Sequence, residues 1–367
     1  MVNLRSIDQE LNSLAKKRGM LSTEVPKDVT DSWKRCIQND LDPSGKPELN
    51  VLSSRELSEL RDKNDIVRNL VNPELELLYS QIAGTNFMVA YSDNKGNVLD
   101  TIYDKTSLKS SVGRVVIPGS IWREEFGGTN GLGQVVTLNK SAIVSGKEHF
   151  FDSHGKLSCF ASPILNYDGR TVGIIDASTD AHSREQHTLA LVKLATKSIE
   201  TKLFLNHFSN EMILSFHPRQ EYLTTNSVGL LAINGDGLII GTNSNARIML
   251  HGLKTLKNES FNNIFSSSFS SIAGDLLQNK IIKITDHMGS SVFIIKVQNF
   301  KKNTSYKNSR SESEKEIQAC DFCRDSKFKK DRCILIRNAY LNNANISAVS
   351  RKLGVSRTTI YKHINNS

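Results

Sequence analysis

A glycine at position 354, set between two short apolar patterns, constrains this chain more than any other residue. Val349 and Leu353 stand four apart on one helical face, and Gly354 permits the positive φ that ends that helix. Val355 then fills the corner, Ser356 caps a second helix, and Ile360 and Ile364 turn back towards the first. The stretch 345–364 therefore predicts a helix-turn-helix. Its second helix offers Ser356, Arg357, Thr358, Thr359, Tyr361 and Lys362 to base edges and phosphates of double-stranded DNA.

An amphipathic hairpin that merely packs would share this spacing, and the distribution of charge argues against it. From residue 301 to the end, fifteen Lys and Arg face six Asp and Glu, a surplus equal to the +9 of the whole chain. Residues 1–300 are therefore formally neutral. A basic surplus at one end is the electrostatic footprint of a phosphate-binding module.

With 367 residues, 38% of them hydrophobic, the chain has the length for two or three domains. It has no run of about eighteen apolar residues and no apolar core near its start, so a cytoplasmic protein without a membrane partner is expected. Five cysteines in a chain of this size do not make a secreted disulfide framework. Cys320 and Cys323 have the C-x₂-C spacing that grips one tetrahedral metal, with Cys333 close behind. A structural Zn²⁺, a redox switch and plain thiols all fit that spacing.

The first seventy residues read as polar helices, one carrying Ser32 to Cys36 and another running from Leu52 to Leu70. From Phe87 the period shortens to that of strands. One hairpin turns at Asp93 to Asn97, and a second, Ser158 to Asp176, turns at Asp168-Gly169. A long helix follows from about His187 to Phe208, with Leu189, Val192, Ala195, Ile199 and Leu203 in a stripe suited to packing or to a dimer seam. A further hairpin turns at Asn234 to Gly237, and Ser291 to Val297 reads as a late strand. The segment from Lys301 to about Ile317 has too few apolar residues to bury a core.

Three resemblances follow from these residues. The terminal stretch resembles the Fis-type helix-turn-helix of bacterial enhancer-dependent activators, departing only at Val349, Ser350, Val355 and Ile360. The segment from about Ser32 to Phe204 is similar to the GAF-containing sensor region of the acetoin catabolism regulator group. The matching motifs are Ser32-Trp33-x-Arg35-Cys36, Asn72 to Leu75, Gly128 to Gly133, Gly146 to Phe150 and Ser158 to Ile164. The segment from about Gln220 to Phe300 resembles a PAS domain. The resemblance implies an α+β chain with a helical region at 1–70, a GAF-like sensor at 71–208, a PAS-like domain at 220–300, a flexible linker at 301–319 and an all-α helix-turn-helix domain at 320–367. It implies a ligand-responsive transcription regulator that is not an enzyme, and a homodimer is expected because one helix-turn-helix reads too few base pairs to find a single site.

Activators of that group carry an ATPase module, yet no G-x-x-x-x-G-K-[ST] loop occurs here. The glycine run 127–133 superficially resembles a dinucleotide fingerprint without its downstream acid, and is expected to form a tight loop admitting a ligand or a lid. Trp122, Thr129, Asn130, His149 and Phe150 are the candidates for binding a small-molecule effector. Glu148, His149 and Cys159 could form a catalytic or metal cluster, but the module offers no resolving thiol beside Cys159. Two rival readings stand: a small-molecule redox enzyme on the GAF-like fold, and a metal or redox sensor acting through Cys320, Cys323 and Cys333.

Overall fold

A computed structural model of the chain describes residues 4–20, 25–47, 50–82, 87–103, 116–180, 185–250, 259–297 and 336. The expected linker, the helix-turn-helix with Ser356, Arg357, Thr358, Thr359, Tyr361 and Lys362, and the cysteines Cys320, Cys323 and Cys333 lie outside the described residues. Four helices come first: α1 (Leu4–Lys17), α2 (Lys27–Gln38), α3 (Ser54–Lys63) and α4 (Asp65–Ile82). The single helix expected from Leu52 to Leu70 is two. Ser53 and Glu56 form a reciprocal capping box that fixes the start of α3, and Asn64 ends it.

The first sheet has the order β2-β1-β5-β4-β3, with every neighbouring pair antiparallel. Its strands are β1 (Met88–Ser92), β2 (Val98–Ile102), β3 (Ala142–Ser145), β4 (Ser158–Leu165) and β5 (Thr171–Thr179). Both expected hairpins are present. Side chains alternate between faces. Met88, Ala90, Ala161 and Ile174 pack on one side with Trp122, Leu132 and Val135, carried by the segment holding α5 (Glu124–Gly127) and α6 (Gly131–Leu138).

Val89, Tyr91, Phe160, Ile164, Ile175 and Ala177 face the other way, against α4 and the long helix α7 (Glu185–His207). From α7 come Leu189, Val192, Ala195 and Ile199, all buried, the three larger ones each stabilising the fold by roughly 1.5–3 kcal/mol. The stripe that could have served a dimer is thus spent inside the chain.

A second antiparallel sheet follows, ordered β10-β11-β6-β7-β8-β9. It comprises β6 (Met212–His217), β7 (Gly229–Ile233), β8 (Leu238–Thr242), β9 (Glu259–Ser260), β10 (Ile282–Thr285) and β11 (Ser291–Lys296). Helices α8 (Ser244–Met249), α9 (Phe261–Ile264) and α10 (Phe269–Leu277) complete this part. β6 lies between β11 and β7, so the sheet includes a strand that precedes residue 220, where the sequence placed the start of the second module.

The end of α7 reaches this second sheet. Phe204 and Phe208 pack with Ile213, Val228, Leu230 and Ala232, and a Cβ at Gly241 would stand 2.1 Å from the Phe208 ring. Glycine is what lets that ring lie against β8. Lys197 donates to Ser244 at 2.6 Å, and Arg247 donates to the Tyr167 carbonyl at 3.1 Å, adding polar ties. The described chain is therefore mixed α and β with antiparallel sheets. Among the described residues no helix is long and apolar enough to cross a membrane.

Candidate functional site

The register of β4 against β5 sets Cys159 opposite Ser178 and Ala161 opposite Asp176. Residues two apart on a strand share a face, so Cys159, Asp176 and Ser178 all point to the side covered by α6. They line a small cavity walled by Val116, Trp122, Leu132 and Leu157 and bordered by Asn130, Gly131 and His149. Its free volume is about 10 Å³, room for about one water molecule.

A chain of polar contacts runs along the cavity floor. Asp176 Oδ2 lies 2.5 Å from Ser178 Oγ, which is 3.3 Å from Cys159 Sγ. His149 Nε2 stands 3.4 Å from that sulfur, and His149 Nδ1 is 3.0 Å from the Gly146 carbonyl. Burial governs the protonation of all three titratable groups. It pushes the Asp176 carboxyl up to about 7 against the opposing bond from Ser178, the Cys159 thiol up to about 12, and His149 down to about 3. Near neutral pH the imidazole is uncharged and the sulfur is a thiol. A thiolate nucleophile needs the reverse.

Asn130 shapes the rim. Its side-chain oxygen accepts from the Gly133 N–H at 2.8 Å and caps α6, while its amide donates to the carbonyls of Trp122 and Gly128. The glycine run 127–133 is thus a turn leading into a helix. A Cβ at Gly131 would meet Cys159 Cβ at 2.8 Å and Asp176 Oδ1 at 2.9 Å, so this glycine admits the chain's own strands. Gly128, at φ 63, likewise makes room for Phe150 and Phe151.

The motif at 32–36 straps α2 to this rim. Ser32 Oγ donates to Glu124 Oε1 at 2.6 Å and lies 2.7 Å from Thr129 Oγ1; Cys36 Sγ is 3.7 Å from the same hydroxyl. Arg35 makes a two-pronged pair with Glu124 at 2.6 and 3.0 Å, and Trp33 Nε1 donates to the Glu148 carbonyl at 2.8 Å. Beside them Arg18, following α1, donates to the carbonyls of Lys147, His149 and Phe150 and to Asp152. Every residue type the motif specifies has a partner within two residues of the cavity's lining.

These residues also decide the family. The MimR, N-terminal domain model matches residues 17–201, half of the chain. The chain belongs to that family. Its match begins at the end of α1 and closes within α7, enclosing strap, cavity and first sheet. The acetoin catabolism regulatory protein of Cupriavidus necator is 30% identical over 229 residues, 61% of this chain and 34% of that protein. The propane 2-monooxygenase operon transcriptional activator MimR of Mycolicibacterium smegmatis is 28% identical over 222 residues, 59% of this chain and 36% of that one. The chain thus spans about a third of the length of these curated relatives. Among solved structures, the E. coli DhaR(N)-DhaL complex is similar with a TM-score of 0.44 and 13% identity, over 73% of this chain and 98% of that one.

Within this MimR N-terminal domain, three of the five expected effector residues, Trp122, Asn130 and His149, line the cavity. Thr129 turns instead towards Ser32 and Cys36, and Phe150 sits in the α1–α2 core with Leu11, Leu14 and Trp33. Glu148 does not join His149 and Cys159; its carboxylate accepts from the Ser145 N–H at 2.7 Å. Among the described residues no group of three or more His, Cys, Asp or Glu could hold a metal ion. Sequence reasoning missed Asp176 and Ser178. The alternation along β5 could have paired them on one face, but only the register against β4 brings Cys159 to them.

Proposed function

We propose that this chain is a ligand-responsive transcription regulator of a catabolic operon. In this reading the first module, residues 71–208, is a GAF-like sensor holding a small-molecule effector in the Asp176 cavity, and residues 220–300 form a PAS-like module. Residues 320–367, after a linker at 301–319, form a Fis-type helix-turn-helix that reads DNA as part of a homodimer, without an ATPase module. The observation carrying the reading is the family match over residues 17–201, whose relatives are named as regulators and activators of catabolic operons. The strap adds a physical route. A molecule pressing on His149 disturbs the loop that Arg18 and Trp33 hold, and so displaces α1 and α2.

Sequencing of DNA bound by the chain in its own cell tests this, with variants as controls. Arg357→Ala is expected to abolish enrichment at specific sites, a guanidinium-to-guanine contact being worth about 1–3 kcal/mol. Lys362→Ala is expected to weaken binding to all sequences alike and to flatten the salt dependence. No discrete bound sites for the wild type, or wild-type profiles for both variants, would refute the assignment.

A further inference from the structure

The cavity's polar atoms are almost fully occupied with one another, and the exception says what an occupant must bring. Asn130 spends its oxygen on Gly133 and its amide on Trp122 and Gly128. His149 uses both ring nitrogens, and Ser178 and Cys159 share one chain of contacts. Asp176 Oδ1, on a residue 2% exposed, has no hydrogen-bond partner among the described residues. A buried oxygen left so costs about 1–3 kcal/mol, more if charged.

Proton placement along the chain decides what that oxygen needs. If the carboxyl is neutral, Oδ2–H donates to Ser178 Oγ, Ser178 to Cys159 Sγ, the thiol to His149 Nε2, and Nδ1–H to the Gly146 carbonyl; every donor is used once. If it is ionised, Ser178 donates to Oδ2 and the thiol still donates to His149. With the proton on Oδ2, or with none, Oδ1 is a lone acceptor.

We propose that the cavity takes a small, largely apolar molecule with one hydrogen-bond donor, a hydroxyl or an amino group, and that Asp176 Oδ1 receives it. The proposal rests on the cavity being the effector site. The walls Val116, Trp122, Leu132 and Leu157 bind the apolar body. An anionic group placed at Oδ1 would lie against Asp176 with no cation among the residues lining the cavity, and a ketone oxygen placed there would set acceptor against acceptor. Since the cavity has room for only about one water, a larger occupant moves a wall. His149 is the wall it shares with an open groove of about 370 Å³ bounded by Lys17, Arg18, Lys147 and Asp152. Outward movement of the Gly146–Asp152 loop joins the two spaces.

Isothermal titration of the full chain with four probes of one carbon skeleton tests the assignment: 1-butanol, butylamine, butanone and butanoate. Butanol and butylamine are expected to bind, with butanone and butanoate about tenfold weaker or worse. D176N, which mimics the neutral acid, is expected to keep its affinity for butanol and to lose about tenfold for butylamine. D176L removes the acceptor and is expected to bind butanol and butanone alike. Wild-type chain that binds none of the four at tens of millimolar, or takes butanone or butanoate as tightly as butanol, overturns the proposal, as does D176N with unchanged butylamine affinity. DNA binding measured on the same samples separates failure of this anchor from failure of the regulator reading.

Discussion

Asp176 and two buried histidines pull the stability of the first module in opposite directions as pH changes. His149 and His154 are lowered to about 3 and about 4 from an ordinary 6.5, so the unfolded chain takes up their protons first and stability is lost as pH falls through the window below 6.5. Asp176 is raised from 3.8 to about 7, so its contribution is greatest below 3.8 and declines as pH rises to about 7. Two groups against one leave stability rising with pH between about 4 and 6.5, by about 1.4 kcal/mol per unit for the net proton. Urea unfolding across that range checks the slope, and D176N is expected to steepen it. Arg35→Ala leaves Glu124, whose side chain is 6% exposed, without its cation, at an expected cost of about 2–3 kcal/mol. A shift under 0.5 kcal/mol would show the pair to be dispensable. At this scale the sequence revealed the aromatic and imidazole side chains in loops, because such residues stand out among polar neighbours. It hid Asp176, because one acid following an apolar run in a strand reveals nothing until a second strand is laid beside it in register.

The elements around the cavity are held by two apolar clusters and by a few long-range bonds that cross between them. Arg18 reaches three successive parts of the loop through backbone carbonyls, which side-chain variation in the loop cannot remove. Arg18→Ala is expected to release that loop, and hydrogen exchange at the amides of 147–152 should quicken by at least about tenfold while the amides of β5 stay protected. Equal exchange in variant and wild type would mean that the loop's other ties, from Trp33 and to Pro43, hold it without the guanidinium. Strands and hairpins were legible from alternation and from turn residues such as Gly96 and Gly169, both at positive φ. The break at Asn64, the short strand β3 and the helix inside the glycine run were not. Asn64 sits between two segments with the same apolar period, β3 has four residues, and glycine-rich sequence opens a helix here only because Asn130 caps it.

For the whole molecule, the neutrality of residues 1–300 and the charge of the remainder predict a division of labour that salt can expose. Affinity for DNA is expected to fall steeply between 50 and 200 mM salt and to need no nucleotide. The chain is expected to be a dimer at micromolar concentration and to protect an inverted repeat, since one helix-turn-helix reads too few base pairs to find a single site. Sedimentation showing only monomer, with a footprint lacking dyad symmetry, would overturn that expectation. Its seam must lie elsewhere than the α7 stripe, which is core. That same helix carries a consequence for engineering. The family match ends at residue 201, inside α7, so a cut placed there runs through a rod that both sheets grip. A helix turns about 100° per residue. Chimaeras spliced in α7 should therefore work only when the joint adds or removes near-whole turns, and a single-residue slip should swing Phe204 and Phe208 out of their seats.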